Sequence, residues 1–127
     1  MKNLKALLFL LFAIPSFILG QTKDEINVDI CIYGGSSAGV VAAYTAIKAG
    51  KTAVIIEPSG RVGGLSSGGL GMTDIGNKYV VTGLALDFYR KLGAYYGNLE
   101  NWIFEPKVAL FVFHEYIREA DINIVYN

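Results

Sequence analysis

The sequence predicts an α/β fold organised around a parallel sheet, on three observations. A mostly apolar run, Val28–Tyr33, leads into a glycine turn and then a stretch rich in small residues. A second apolar run, Thr52–Ile56, closes on an acid, Glu57. A third, Ile122–Val125, follows two longer stretches with helical character. Such runs alternate little because a parallel strand is buried on both faces, and strands separated by helices read as right-handed crossover units.

The chain begins with Lys2 and Lys5, then Leu7–Leu19, which is apolar apart from Pro15 and Ser16, then Gly20. A short basic region, an apolar run and a small residue make a secretory signal peptide, expected over residues 1–20 with removal near Gly20. A membrane anchor is the competing reading, but the run falls short of the roughly 20 apolar residues that span a bilayer. The expected location is exported, periplasmic or extracellular, with membrane contact only through the export signal. Residues 21–127 are expected to form one domain, opening with the polar lead-in Gln21–Asn27.

After the first strand, a helix is expected over Ala38–Ala49. Its small residues Ala38, Ala42, Ala43 and Ala46 let it lie close to a sheet, and Gly50 ends it. Pro58 and the six glycines from Gly60 to Gly71 forbid regular structure there. Thr82 is placed to cap a helix over Gly83–Tyr95. Pro106 suits the first turn of another, Glu105–Ala120. The third strand is expected outside the second, which lies beside the first.

Composition narrows the function. A chain of 127 residues without net formal charge holds at most one domain and gives no electrostatic argument for nucleic acid. Cys31, the one cysteine, is expected to be a small buried hydrophobe on its strand. Alone it makes no intrachain disulfide and cannot ligate a zinc ion or an iron–sulfur cluster, so no metal site is expected.

The chemistry sits in the turn Gly34-Gly35-Ser36-Ser37-Ala38-Gly39. Backbone N–H groups that open a helix have no helical partner, and the helix dipole favours an anion there, above all a pyrophosphate. Gly39 allows close packing of helix on strand. Ser36 stands where the G-x-G-x-x-G pattern has its middle glycine; it is small, and its hydroxyl can donate to a phosphate oxygen. A glycine turn alone serves a purely structural bend as readily, but its setting favours a dinucleotide. Glu57 follows Gly39 at close to the ~20-residue spacing expected of an acid that accepts from ribose hydroxyls. A carboxylate there also repels a 2′-phosphate. A second glycine cluster, Arg61–Gly71, exposes more backbone N–H groups, and Arg61 can meet a phosphate through its guanidinium fork.

The segments VDICIYGGSSAGVVAAYTAIKAGKTAVIIEPSGRVGGLSSGGLGMTD and WIFEPKVALFVFHEYIREADINIVY resemble the N-terminal region of the FAD-dependent oxidoreductases, over Val28 to Tyr126. The resembled branch is common among exported bacterial proteins and has relatives in the flavoprotein component of heterodisulfide reductase. The resemblance implies a Rossmann-like FAD/NAD(P)-binding domain, here incomplete, with FAD as cofactor. Gly34, Gly35, Ser36, Ser37, Ala38 and Gly39 would cradle the FAD pyrophosphate, and Glu57 would bind the adenosine ribose. Arg61, Gly63, Gly64 and Leu65 would run along the cofactor toward the flavin. In that branch the middle glycine is often a small hydroxyl residue, which fits Ser36. Longer relatives can carry an iron–sulfur cluster, for which this chain has no ligand set.

The expected protein is thus the N-terminal FAD-binding part of an oxidoreductase, a fragment without full activity. It needs later segments or a second polypeptide, and acts on a small molecule that the sequence does not name. Two alternatives are an NAD-binding reductase domain, disfavoured by the Arg61–Gly71 cluster, and a non-catalytic dinucleotide-binding or interaction module from a truncated gene. No catalytic residue is assigned. His114 shares a helix face with Lys107 and Arg118 and reads as solvated. Asp74 reads equally as a turn former or a neighbour of substrate. Phe88, Tyr89, Tyr95, Tyr96, Trp102, Phe104, Phe111 and Phe113 read as core.

Overall fold

The computed structural model describes residues 25–127. The predicted signal peptide, with Lys2, Lys5, Leu7–Leu19 and Gly20, lies outside the described residues. Three strands, β1 (Ile30–Tyr33), β2 (Ala53–Glu57) and β3 (Asn123–Tyr126), form one parallel sheet in the order β1-β2-β3. The register sets Ile30 against Ala53 and Glu57 against Tyr126. The helices are α1 (Ser37–Lys48), α2 (Gly64–Gly68), α3 (Gly83–Tyr96) and α4 (Pro106–Ala120), with a 3₁₀ turn at Lys78–Val80. Strand order and crossover pattern agree with the expectation.

Local chemistry accounts for the boundaries. Asp29 and Thr52 exchange bonds just before β1 and β2: Asp29 N–H donates to Thr52 Oγ1 and Thr52 N–H to Asp29 Oδ2, each at 2.8 Å. These bonds start the ladder in register and hold the Asp29 carboxyl below its ordinary pKa, the Thr52 backbone first and its hydroxyl second. Ser36 caps α1, its Oγ accepting from Gly39 N–H at 3.2 Å. Pro106 occupies the first turn of α4, where a missing N–H costs nothing.

Two expectations fail at helix ends. Thr82 precedes α3 but its side chain makes no capping bond. The glycine-rich stretch also holds the five-residue helix α2. There Ser67 Oγ donates to the Val62 carbonyl and closes the turn, a tertiary bond that overrides the low helix propensity of glycine.

The core lies between the sheet and its helices. α4 presents Val108, Ala109, Val112, Phe113, Tyr116 and Ala120 along one stripe, and α1 presents Val40, Ala43 and Ala46. Ala38 and Ala42 do not face the sheet as expected; both are exposed, because the buried side of α1 runs through Gly39, Ala43 and Ala46. Phe88 stacks on Phe113 with ring centroids 4.9 Å apart, and Tyr89 on Trp102 at 3.9 Å. Of the aromatic set, Tyr95 and Phe111 are exposed rather than core.

Cys31 is exposed, against expectation. It shares a sheet face with Tyr33, which is 79% exposed, while the opposite face carries Ile55 and Ile32 into the core. The strands are apolar on both faces, yet among the described residues the helices cover one.

Candidate functional site

The β1–α1 turn and the end of β2 meet at the carboxyl edge of the sheet, where open α/β folds bind ligands. Gly34 N–H continues the ladder to the Ile56 carbonyl at 2.8 Å. The next amide leaves it: Gly35 N–H donates to Glu57 Oε2 at 2.5 Å. Glu57 Oε1 accepts from Ser59 N–H at 2.7 Å. Glu57 is 6% exposed, so its carboxylate is a buried acceptor rather than a solvated strand end. Ser59, through its hydroxyl and then its backbone, holds the carboxyl below the ordinary range; burial opposes this and the Gly35 N–H adds to it.

The bonding narrows the predicted phosphate cradle. Gly35 N–H is committed to Glu57, and Gly39 N–H to Ser36 Oγ. The N–H groups of Ser36, Ser37 and Ala38 have no acceptor among the described residues. They are consecutive at the start of a 12-residue helix, where the dipole favours an anion. Gly34 and Gly39 act sterically: a Cβ on Gly39 would run into the Gly34 carbonyl oxygen, whereas Gly34, at φ +99°, faces open space.

The second glycine cluster packs on this turn. Gly63 N–H donates to the Gly35 carbonyl at 2.6 Å. Ser37 Oγ donates to the Gly63 carbonyl at 2.8 Å and lies 3.1 Å from Ser66 Oγ. Gly63 has φ +94°, and a Cβ there would press on the Phe113 ring. Gly64 approaches Ser36, with a built Cβ 3.4 Å from the Ser36 Cα. Leu65 is 73% exposed on the outer side of α2. Arg61 is exposed, and its Nη1 donates to the Ser67 carbonyl at 2.9 Å, so one arm of the guanidinium fork supports α2.

Cavities flank the turn on two sides. One, of about 200 Å³, is lined by Tyr33, Ile56, Pro58, Val125, Tyr126 and Asn127. Tyr126 there feels Glu57: burial first, then the carboxylate's charge, raises its phenol pKa. The other, of about 270 Å³, lies between α1, α2, α3 and α4 and includes Ser37, Ala38, Ser66, Phe88, Tyr89 and Phe113.

His114 is exposed on α4 and Asp74 is exposed beyond the second cluster. Among the described residues no His, Cys, Asp and Glu group has the composition of a metal site. Sequence reasoning missed Ser59, Ser66 and Tyr126. A polar residue two positions after a buried acid is the signal that points to Ser59; no local pattern marks the other two.

The profile of a family described as FAD dependent oxidoreductase matches residues 29–127. Among solved structures, a steroid monooxygenase, described as oxidized and bound to NADP, is similar at TM-score 0.54 and 15% identity, over 78% of this chain and 19% of that one. THI4 of Thermovibrio ammonificans is similar at TM-score 0.49 and 16% identity, over 78% of this chain and 38% of that one. AlpK is similar at TM-score 0.45 and 15% identity, over 81% of this chain and 24% of that one. The chain thus spans less than two fifths of each structure it matches. At these identities the likeness to the monooxygenase concerns the fold, a Rossmann-like α/β architecture. The profile match takes in the whole of the described sheet and its helices, and by that extent the chain belongs to the family of FAD dependent oxidoreductases.

Proposed function

We propose that this chain binds the ADP half of FAD at the carboxyl edge of its sheet and serves an exported oxidoreductase acting on a small molecule. The observation that carries this is the row of unpartnered N–H groups at Ser36, Ser37 and Ala38 beside the buried carboxylate of Glu57. The residues fit the group: three donors and a helix dipole suit a pyrophosphate, and a carboxylate with lone pairs to spare suits ribose hydroxyls. The slot between Tyr33 and Tyr126 suits a flat base, which the family's FAD supplies as adenine. Gly63, Gly64 and Leu65 then run along the cofactor on the other side, toward the cavity at Ser37 and Ser66.

When bound, the flavin supplies the redox chemistry. The chain's own residues bind and orient. The amides at 36–38 neutralise phosphate charge, Glu57 accepts from ribose and disfavours a 2′-phosphate, and Phe113 backs the second cluster.

We also propose that further segments or a second polypeptide complete the enzyme. In support, Leu65, Leu70, Met72 and Ile103 are exposed around the second cluster, and Tyr33 and Val125 on the sheet face. Export rests on Lys2, Lys5 and Leu7–Leu19. The branch shared with the flavoprotein component of heterodisulfide reductase rests on Ser36.

Calorimetric titration of the chain with ADP, FAD and NAD tests the binding site. Saturable ADP and FAD binding is expected, whereas equal affinity for a 2′-phosphorylated adenosine contradicts the assignment of Glu57. A chain that holds stoichiometric FAD and turns over with simple donors contradicts the dependence on further segments.

A further inference from the structure

We infer that Glu57 is a positioning residue for the anion-binding turn, distinct from any contact it makes with ribose. This rests on the dinucleotide reading and deepens it. Peptide planarity links the groups involved. No peptide bond among the described residues is cis, so in each unit the C=O and the next N–H point opposite ways. The Gly35 N–H is drawn to Glu57 Oε2, which turns the Gly34 carbonyl the other way, toward Gly39, where a Cβ would strike it. The Gly35 carbonyl is drawn to the Gly63 N–H, so the Ser36 N–H points away from the second cluster.

Glu57 therefore fixes the first of two linked peptide planes, and the second plane presents the first free amide. Its other oxygen is bonded to Ser59 N–H, so the carboxylate bridges the turn to the segment that leads into the second cluster. The turn has glycine at 34 and 35, the residues least able to hold a backbone conformation by themselves. A buried, doubly bonded carboxylate reaching across 22 residues supplies that rigidity.

Electrostatics makes the test sharp. A carboxylate near an anion site weakens anion binding by Coulomb repulsion. Removing its charge should tighten binding if Glu57 acts only through charge or ribose. The probes are ADP and inorganic pyrophosphate, which has no ribose, titrated calorimetrically into the chain and into Glu57→Gln, with circular dichroism confirming the fold. A glutamine offers one acceptor oxygen where two N–H groups need one each. Pyrophosphate affinity is expected to fall by about tenfold in Glu57→Gln, the scale of one lost hydrogen bond to a charged group.

Unchanged or tighter pyrophosphate binding, with ADP affinity lost, overturns the positioning role and leaves the ribose role standing. A wild-type chain that binds neither probe overturns the dinucleotide reading, and the inference with it. Should Glu57→Gln not fold, the wild-type amide spectrum decides. The Ser36, Ser37 and Ala38 resonances are expected to shift together with Gly35 as Glu57 is protonated. Tyr126, the titratable side chain set against Glu57, stays protonated throughout that acid range. Resonances at 36–38 that stay fixed while Gly35 moves overturn the inference.

Discussion

The hydroxyl of Ser37 donates to the carbonyl of Gly63 across 26 residues, at 2.8 Å. This bond joins the first residue of α1 to the second glycine cluster, so neither loop is set by its own sequence alone. The Gly63 N–H to Gly35 carbonyl bond runs in the opposite sense and makes the link reciprocal.

Ser37→Ala removes that donor and the contact to Ser66 Oγ. The expected loss is about 1 kcal/mol of unfolding free energy, the net worth of a partly buried hydrogen bond. Urea denaturation reads it as a lower midpoint with an unchanged slope. An unchanged midpoint would mean that the loops hold each other by packing alone.

Gly39→Ala sets two effects in competition. Helix propensity favours alanine by about 1 kcal/mol. Against it, the new Cβ meets the Gly34 carbonyl oxygen, an atom of a turn held at both ends. Backbone cannot yield as a flexible side chain does, so the clash should win, with a net destabilisation of about 1–3 kcal/mol. A stabilised variant would show that the turn relaxes freely.

Tyr116→Phe tests the distal contact of α3 and α4. Tyr116 is 1% exposed and its O–H donates to Asp87 Oδ2 at 2.6 Å. Burial first and the bond to Asp87 second push the phenol well above its ordinary pKa of 10.0. Loss of a hydrogen bond to a charged acceptor should cost about 1.5–3 kcal/mol, read by denaturation. ADP affinity should not change, because the pair lies outside the carboxyl-edge site.

Acid should destabilise the chain in a defined direction. Glu57, Asp29 and Glu119 are all lowered in the folded state: Ser59 chiefly holds Glu57, the Thr52 backbone Asp29, and the Lys91 ammonium Glu119. A lowered folded pKa means stability that is present above the unfolded values of 4.5, 3.8 and 4.5 and lost as pH falls through the folded ones. Unfolding free energy should therefore decline below about pH 4.5, with a shallower decline in Glu57→Gln. A profile with equal slopes would remove Glu57 from the acid response.

Much of this architecture is legible in the residues. Val28–Tyr33 and Thr52–Ile56 are close to β1 and β2, and Gly39 and Glu57 stand where a helix–strand contact and a strand-end acid need them. What escaped the sequence depends on distant partners. Cys31 and Ile32 read alike as strand apolars, and only the placement of α1 decides which one faces the core. Gly64–Gly68 reads as a loop because the Ser67 bond to Val62 that closes its turn has no local signature. Arg61 reads as a phosphate ligand from its charge, whereas the position of Ser67 gives its guanidinium a backbone partner. Glu57 was legible as an acceptor, but its grip on Gly35 appears only when β1 and β2 pair.

If the amides of Ser36, Ser37 and Ala38 hold a dinucleotide's phosphates, ADP titration followed by amide NMR shows it without recourse to catalysis. Saturable downfield shifts are expected at those three residues, with a much smaller change at Gly35, whose N–H is already bonded to Glu57. Saturating ADP that leaves those three resonances in place, or shifts confined to Arg61 and the exposed loop, would contradict the assignment of the phosphate site.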